Sequence, residues 1–189
     1  MARSDEILAF WFGDGVISEE RARKWFSGGP EFDQLCHQAF VADFEQAAAG
    51  LLDDWQETPS SCVALVVLLD QLPRNIFRNT RRAYASDAKA RAVTKRAISR
   101  GLDRQLPPLQ RAFLYMPLHH SEDLGDQWEY LRLQRRLAEQ NPDCESFLKY
   151  ADEHLATVGR FGRFPQRNTI LGRVSTPQEI QFLQQSING

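Results

Sequence analysis

The stretch that most constrains this chain runs from Thr58 to Arg78. Thr58-Pro59 offers a helix cap followed by proline at the first helical position. From Ser60 to Gln71, the residues Val63, Leu65, Val66, Val67, Leu68 and Leu69 are apolar almost all round the helix. A helix without a polar face is buried on most sides, so the rest of the chain has to wrap it. It runs into Asp70-Gln71-Leu72-Pro73-Arg74-Asn75-Ile76-Phe77-Arg78, where Pro73 lacks a backbone donor and is expected to bend or end the helix. The apolar run from Cys62 to Leu69 is far too short to span a bilayer.

What wraps this helix reads as further helices. Ser4 is expected to cap a first one holding Ile7, Leu8, Phe10, Trp11 and Phe12, with Gly13 at its end. Ser18 is expected to cap a short one through Trp25 and Phe26, before Ser27-Gly28-Gly29-Pro30 breaks the chain. Phe32, Leu35, Ala39, Phe40 and Phe44 then recur at helical spacing. Ser86-Asp87 starts a helix closed by Gly101, and Pro107-Pro108 opens one that Pro117 should interrupt just before His119-His120-Ser121-Glu122. Ser121 is expected to cap a long helix whose buried stripe is Leu124, Trp128, Leu131 and Leu137 or Ala138. Thr176-Pro177-Gln178-Glu179 is a capping box for the last helix. No stretch alternates with period two. The expected architecture is all-α, with residues 1–189 as one domain of antiparallel helical hairpins.

Composition narrows the function classes. A net charge of −2 argues against a general nucleic-acid binder. Cys36, Cys62 and Cys144 are odd in number and in no CxxC pattern, which suits a reducing cytoplasm and no zinc site. Met1-Ala2-Arg3-Ser4-Asp5-Glu6 lacks the apolar core of a signal peptide, so a cytoplasmic location is expected.

Three segments are polar where the helical pattern breaks: Asp70 to Arg78, Tyr115 to Glu122, and Arg160 to Arg173. The third carries Arg160, Arg163, Arg167 and Arg173, and no Asp or Glu occurs between Glu153 and Glu179. Arginine offers a planar fork that matches two oxygens and stays charged, so a converging set would hold a phosphate or carboxylate. Arg74, Arg78, Arg160, Arg163 and Arg167 are the candidate anion ligands, with Asn75 and Asn168 adding directional hydrogen bonds. The competing reading has these arginines tying helix ends together through Asp70, Glu122 and free carbonyls. His120 with Glu122 or Asp70 is a candidate acid–base pair. The spacing His119-His120-x-Glu122 is weak support for a metal, and none is assigned; no cofactor motif is present.

Leu69 to Arg78, Phe113-Leu114-Tyr115-Met116-Pro117-Leu118, His120-Ser121-Glu122 and Arg160-Phe161-Gly162-Arg163-Phe164-Pro165 together carry a resemblance. In this order they resemble the bacterial family catalogued as a domain of unknown function, number nine hundred and twenty-four. The resemblance runs from Leu8-Ala9-Phe10-Trp11-Phe12-Gly13 to the last helix. It implies a fold like tetratricopeptide repeats and no established activity. Two positions depart from the family pattern: Gln166 stands where Phe-Pro-His-Arg-Asn is usual, and Ala156 where His-x-Asp is usual. These departures bear on proton transfer more than on anion binding, because the arginines are kept.

Three functions follow as alternatives. The first is a binding module for a small anionic ligand or acidic peptide; the second is a small hydrolase or lyase using His120 with Glu122 or Asp70. The third is a scaffold whose polar motifs only knit helices together, with a protein partner or a second copy as its target.

Overall fold

The computed structural model describes residues 3–26 and 28–187, and all regular elements among them are helical. Met1, Ala2 and Ser27, the last in the expected chain break, lie outside the described residues. Helix α1 spans Ser4–Phe12, α2 Glu19–Phe26 and α3 Pro30–Ala48. The core helix comprises α4 (Pro59–Val66), a π turn (Val67–Gln71) and α5 (Leu72–Ile76). Then come α6 (Asp87–Ser99), α7 (Pro108–His119), α8 (Leu124–Gln140), α9 (Ala151–Phe161), α10 (Asn168–Leu171) and α11 (Pro177–Ile187).

The core helix sits where its composition demands. Every residue from Val63 to Leu69 is fully buried. Helices α1, α6 and α7 pack on α4, and α3 packs on α5. From α6 to α9 each helix packs on the next, an order compatible with stacked helical hairpins. Phe113 of α7 anchors the aromatic part of the core, with Trp11, Phe12, Trp25 and Phe147 edge-on to it at 4.8–5.9 Å.

Neither proline stops its helix, contrary to expectation. Ahead of Pro73 the chain widens by one π turn, in which Leu72 N–H reaches Val67 O five residues back. The carbonyl four residues before Pro73 is that of Leu69; Pro73 has no N–H to offer it, and it accepts the Ser86 hydroxyl at 2.5 Å. Ser86 therefore completes the core helix rather than capping α6. Helix α7 likewise runs through Pro117 to His119, and Thr94 Oγ1 donates to Leu114 O within it at 2.9 Å.

Three local expectations are corrected. The residue before α1 is Arg3, whose backbone N–H meets Glu6 at 3.0 Å, so Ser4 is the first helical residue. Helix α8 is capped by Asp123, which accepts Asp126 N–H at 3.0 Å, and not by Ser121. Leu131 and Leu137 are buried as expected, together with Gln127, Tyr130 and Gln134, while Trp128 is 57% exposed and Leu124 44% exposed. The inward face of α8 contains polar residues that a purely apolar stripe misses, which rotates the expected face by about one residue.

Candidate functional site

The π turn places Asp70 at the centre of the molecule with no solvent exposure. A buried carboxylate needs several partners. Asp70 has them: Gln71 Nε2 donates at 2.6 Å, Arg74 Nη2 at 3.1 Å, and His120 Nδ1 lies 2.8 and 2.9 Å from its two oxygens. Burial alone would raise the Asp70 pKa, but His120, Arg74 and Gln71 outweigh it and hold the carboxyl well below the usual range. An ionised Asp70 only accepts, so the facing Nδ1 of His120 carries its proton. Burial, aided by Arg74 and opposed by Asp70, lowers the His120 pKa to about 4. At neutral pH the pair is a carboxylate and a neutral imidazole whose Nε2 holds a free lone pair. Among the described residues Nε2 makes no hydrogen bond, and it is not fully buried.

His120 lines a cleft of about 290 Å³, together with Tyr84, Asp87, Arg91, Ser121, Glu122 and Arg167. Arg167 comes from the arginine-rich segment, and Arg74 lies behind it on the core helix. Asp87, at the start of α6, sits between them, 3.0 Å from Arg74 Nη2 and 3.6 Å from Arg167 Nη1. Burial, with a push from Asp70, raises Asp87 to about 6 against the pull of both arginines. The Arg167 guanidinium packs over the rings of Phe164 and Tyr84, 4.6 and 5.0 Å from their centroids. Its side chain is only 11% exposed, yet it makes no hydrogen bond among the described residues. Burial and the neighbouring Arg74 depress its pKa.

The other candidate arginines do not converge on this cleft. Arg78 grips Asp33 through Nε and Nη2 at 2.5 and 2.8 Å, and Asn75 donates to the same carboxylate at 2.8 Å. Together they bind α3 to the end of the core helix. Arg163 closes a bidentate pair on Glu179 at 2.6 and 2.8 Å, while Glu179 also accepts Thr176 N–H at 2.7 Å. That arginine serves the capping box of α11. Asn168 is buried and bonded to Ser175 and Arg173, both at 2.9 Å. Arg160 is exposed and lies 4.7 Å over the Phe161 ring. The expectation of a five-arginine cluster therefore reduces to Arg74 and Arg167. Arg78 and Arg82 lie in a run without acids between Asp70 and Asp87, and find Asp33 and Glu45 in space.

Glu122 is not the partner of His120. It accepts Phe164 N–H at 2.8 Å and holds Arg173 at 2.6 and 2.9 Å, pinning the arginine segment beside the cleft. Gly172, with φ +68° at the end of α10, lets the chain turn so that Arg173 can reach Glu122. His119 and His154 stack face to face at 4.0 Å, and His154 meets Phe164 at 4.7 Å. Burial lowers the pKa of both histidines. Among the described residues no three His, Cys, Asp or Glu side chains gather as a metal-ligand set. No helix among them is long and apolar enough to cross a membrane.

Sequence reasoning did not assign Asp87, Tyr84 or Arg173 to the site. Asp87 has the sequence context of any helix-start acid, and its two arginine partners are 13 and 80 residues away in the chain.

Residues 7–186 match the family described as "Bacterial protein of unknown function (DUF924)". The chain belongs to this family. It is also similar to a solved structure, a protein of unknown function, ATU0120, from Agrobacterium tumefaciens. The two are 39% identical, with 96% of this chain and 97% of that one covered and a TM-score of 0.85. No curated protein matches the chain. Membership of the family thus fixes the helical fold and leaves the chemistry to be argued from the cleft.

Proposed function

We propose that the protein binds a small anion in the cleft at Arg167. The observation that carries this reading is a guanidinium that is nearly buried and makes no hydrogen bond. Beside it Arg74 and Arg173 are held closely by Asp70, Asp87 and Glu122, whereas Arg167 has only Asp87, at 3.6 Å and shared with Arg74. A largely buried guanidinium whose carboxylate is distant and shared is poorly compensated, and a bound anion would complete its pairing. A cleft of about 290 Å³ is at the small end of ligand sites, which favours a compact oxyanion over a peptide.

A second reading adds proton transfer. His120, oriented by Asp70 and neutral at pH 7, lines the same cleft and keeps an unoccupied lone pair on Nε2. That is the arrangement of a general base acting on water or on a ligand proton beside an anion, as a hydrolase or lyase requires.

Thermal shift with inorganic phosphate, phosphate monoesters and small carboxylates tests the first reading. At about a hundred times its dissociation constant, a ligand adds roughly 2.7 kcal/mol and raises Tm by roughly 5–10 °C. Arg167→Met keeps the contacts with Tyr84 and Phe164, so the variant should melt no lower than wild type and respond to none of these anions. Absence of any shift in wild type, or a variant that melts far lower unliganded, overturns the reading. Turnover of a bound ester that is lost in His120→Gln, with binding retained, would establish the second.

A further inference from the structure

The cleft already contains a carboxylate. Asp87 stands beside Arg167 on one side and Arg74 on the other, and it lines the cleft that an incoming anion would enter. Any ligand that reaches Arg167 therefore meets an oxygen of Asp87 as well. Two ionised oxyanions within contact distance of each other repel, whereas an O–H donor on the ligand would turn that encounter into a charge-assisted hydrogen bond.

Resting on the anion-binding reading, we infer that Asp87 is the specificity-determining residue of the site. It selects a singly charged oxyanion that also carries a hydroxyl, such as the monoanion of a phosphate or an α-hydroxy carboxylate. Arg167 takes the anionic oxygens, and Asp87 accepts the hydroxyl proton in a hydrogen bond. A dianion without a donor is excluded.

The groups facing Asp87 come from four directions. Arg74 and Asp70 lie on the core helix, Tyr84 precedes α6, and Arg167 enters from the arginine-rich segment. His120 and Glu122 line the same cleft from the end of α7, as does Arg91 from α6 itself. Glu122 is engaged by Arg173 and by Phe164 N–H, so it is not free to replace Asp87 as an acceptor. The raised pKa of Asp87 fits a group whose ionised form is not fully matched in the empty cleft.

Calorimetric titration tests the inference with two probes. Methyl phosphate is mainly a dianion without an O–H donor at about pH 8 and mainly a monoanion with one at about pH 5.5. At about pH 8, Asp87→Asn should bind methyl phosphate about tenfold tighter than wild type; at about pH 5.5 the two should lie within about threefold. For the carboxylate arm, wild type at about pH 8 should bind glycolate about tenfold tighter than acetate, a preference that Asp87→Ala should abolish. Equal methyl phosphate affinity of wild type and Asp87→Asn at the higher pH, or no preference for glycolate in wild type, overturns the inference. Failure of wild type to bind either probe at about pH 5.5 instead overturns the anion-binding reading on which it rests.

Discussion

Ser86 donates its hydroxyl to Leu69 O at 2.5 Å, the carbonyl to which Pro73 has no N–H to offer. The proline, the π turn and the serine are therefore one device. It widens the core helix by one residue at the place where Asp70 has to face His120.

Replacing Ser86 by alanine should take this donor from the buried Leu69 carbonyl. A loss of about 1–3 kcal/mol is expected on chemical denaturation. Pro73→Ala returns an N–H to the helix, so in that background Ser86→Ala should cost measurably less. A double-mutant cycle with no coupling would contradict the arrangement.

Acid titration should separate two groups of opposite sign. His120 is lowered from 6.5 to about 4 in the fold, so the unfolded chain binds its proton more readily between these values. That part of the stability is present above pH 6.5 and lost as pH falls towards 4. His119 and His154, also lowered, act in the same direction. Asp87 is raised from 3.8 to about 6, so it contributes stability as pH falls through this range, against the histidines. Asp87→Asn removes only the opposing group. Between about pH 6 and pH 4 the variant should lose stability more steeply than wild type, measured by urea unfolding at each pH.

Arg163 is expected to act on the fold and not on a ligand. Its hydrogen bond is the largest cause holding Glu179 down at about 2. That contribution is present above pH 4.5 and lost as pH falls towards 2. Arg163→Ala should lower Tm without any ligand, leave anion binding intact, and let the Glu179 carboxyl titrate nearer its ordinary value by NMR. Loss of anion binding in this variant would return Arg163 to the site.

Phe113 has four aromatic neighbours and no exposure. Phe113→Ala should cost about 3–5 kcal/mol, since the four rings around it come from three elements and cannot all close the gap. Phe113→Leu should cost markedly less by the same denaturation assay.

Much of this fold was written in periodicity and caps. Thr58 and Thr176 cap where the sequence places them, and the run from Val63 to Leu69 is buried throughout because no face of it tolerates water. Such local signals act within a turn or two of helix, so they are visible without a fold. The presence of a polar site near Asp70, His120 and the arginine-rich segment was legible for the same reason: these residues interrupt an otherwise apolar pattern. The partners within the site were not. Arg163 to Glu179, Arg78 to Asp33, Glu122 to Arg173 and Arg167 to Asp87 are pairs of 16, 45, 51 and 80 residues' separation. An arginine has the same local appearance whether a carboxylate waits for it across the molecule or not. Only the packing of α3, α6, α7 and the arginine segment around the core helix decides which cations are matched. Among the described residues that packing leaves Arg167, unlike Arg74 beside the same cleft, without a side-chain hydrogen bond.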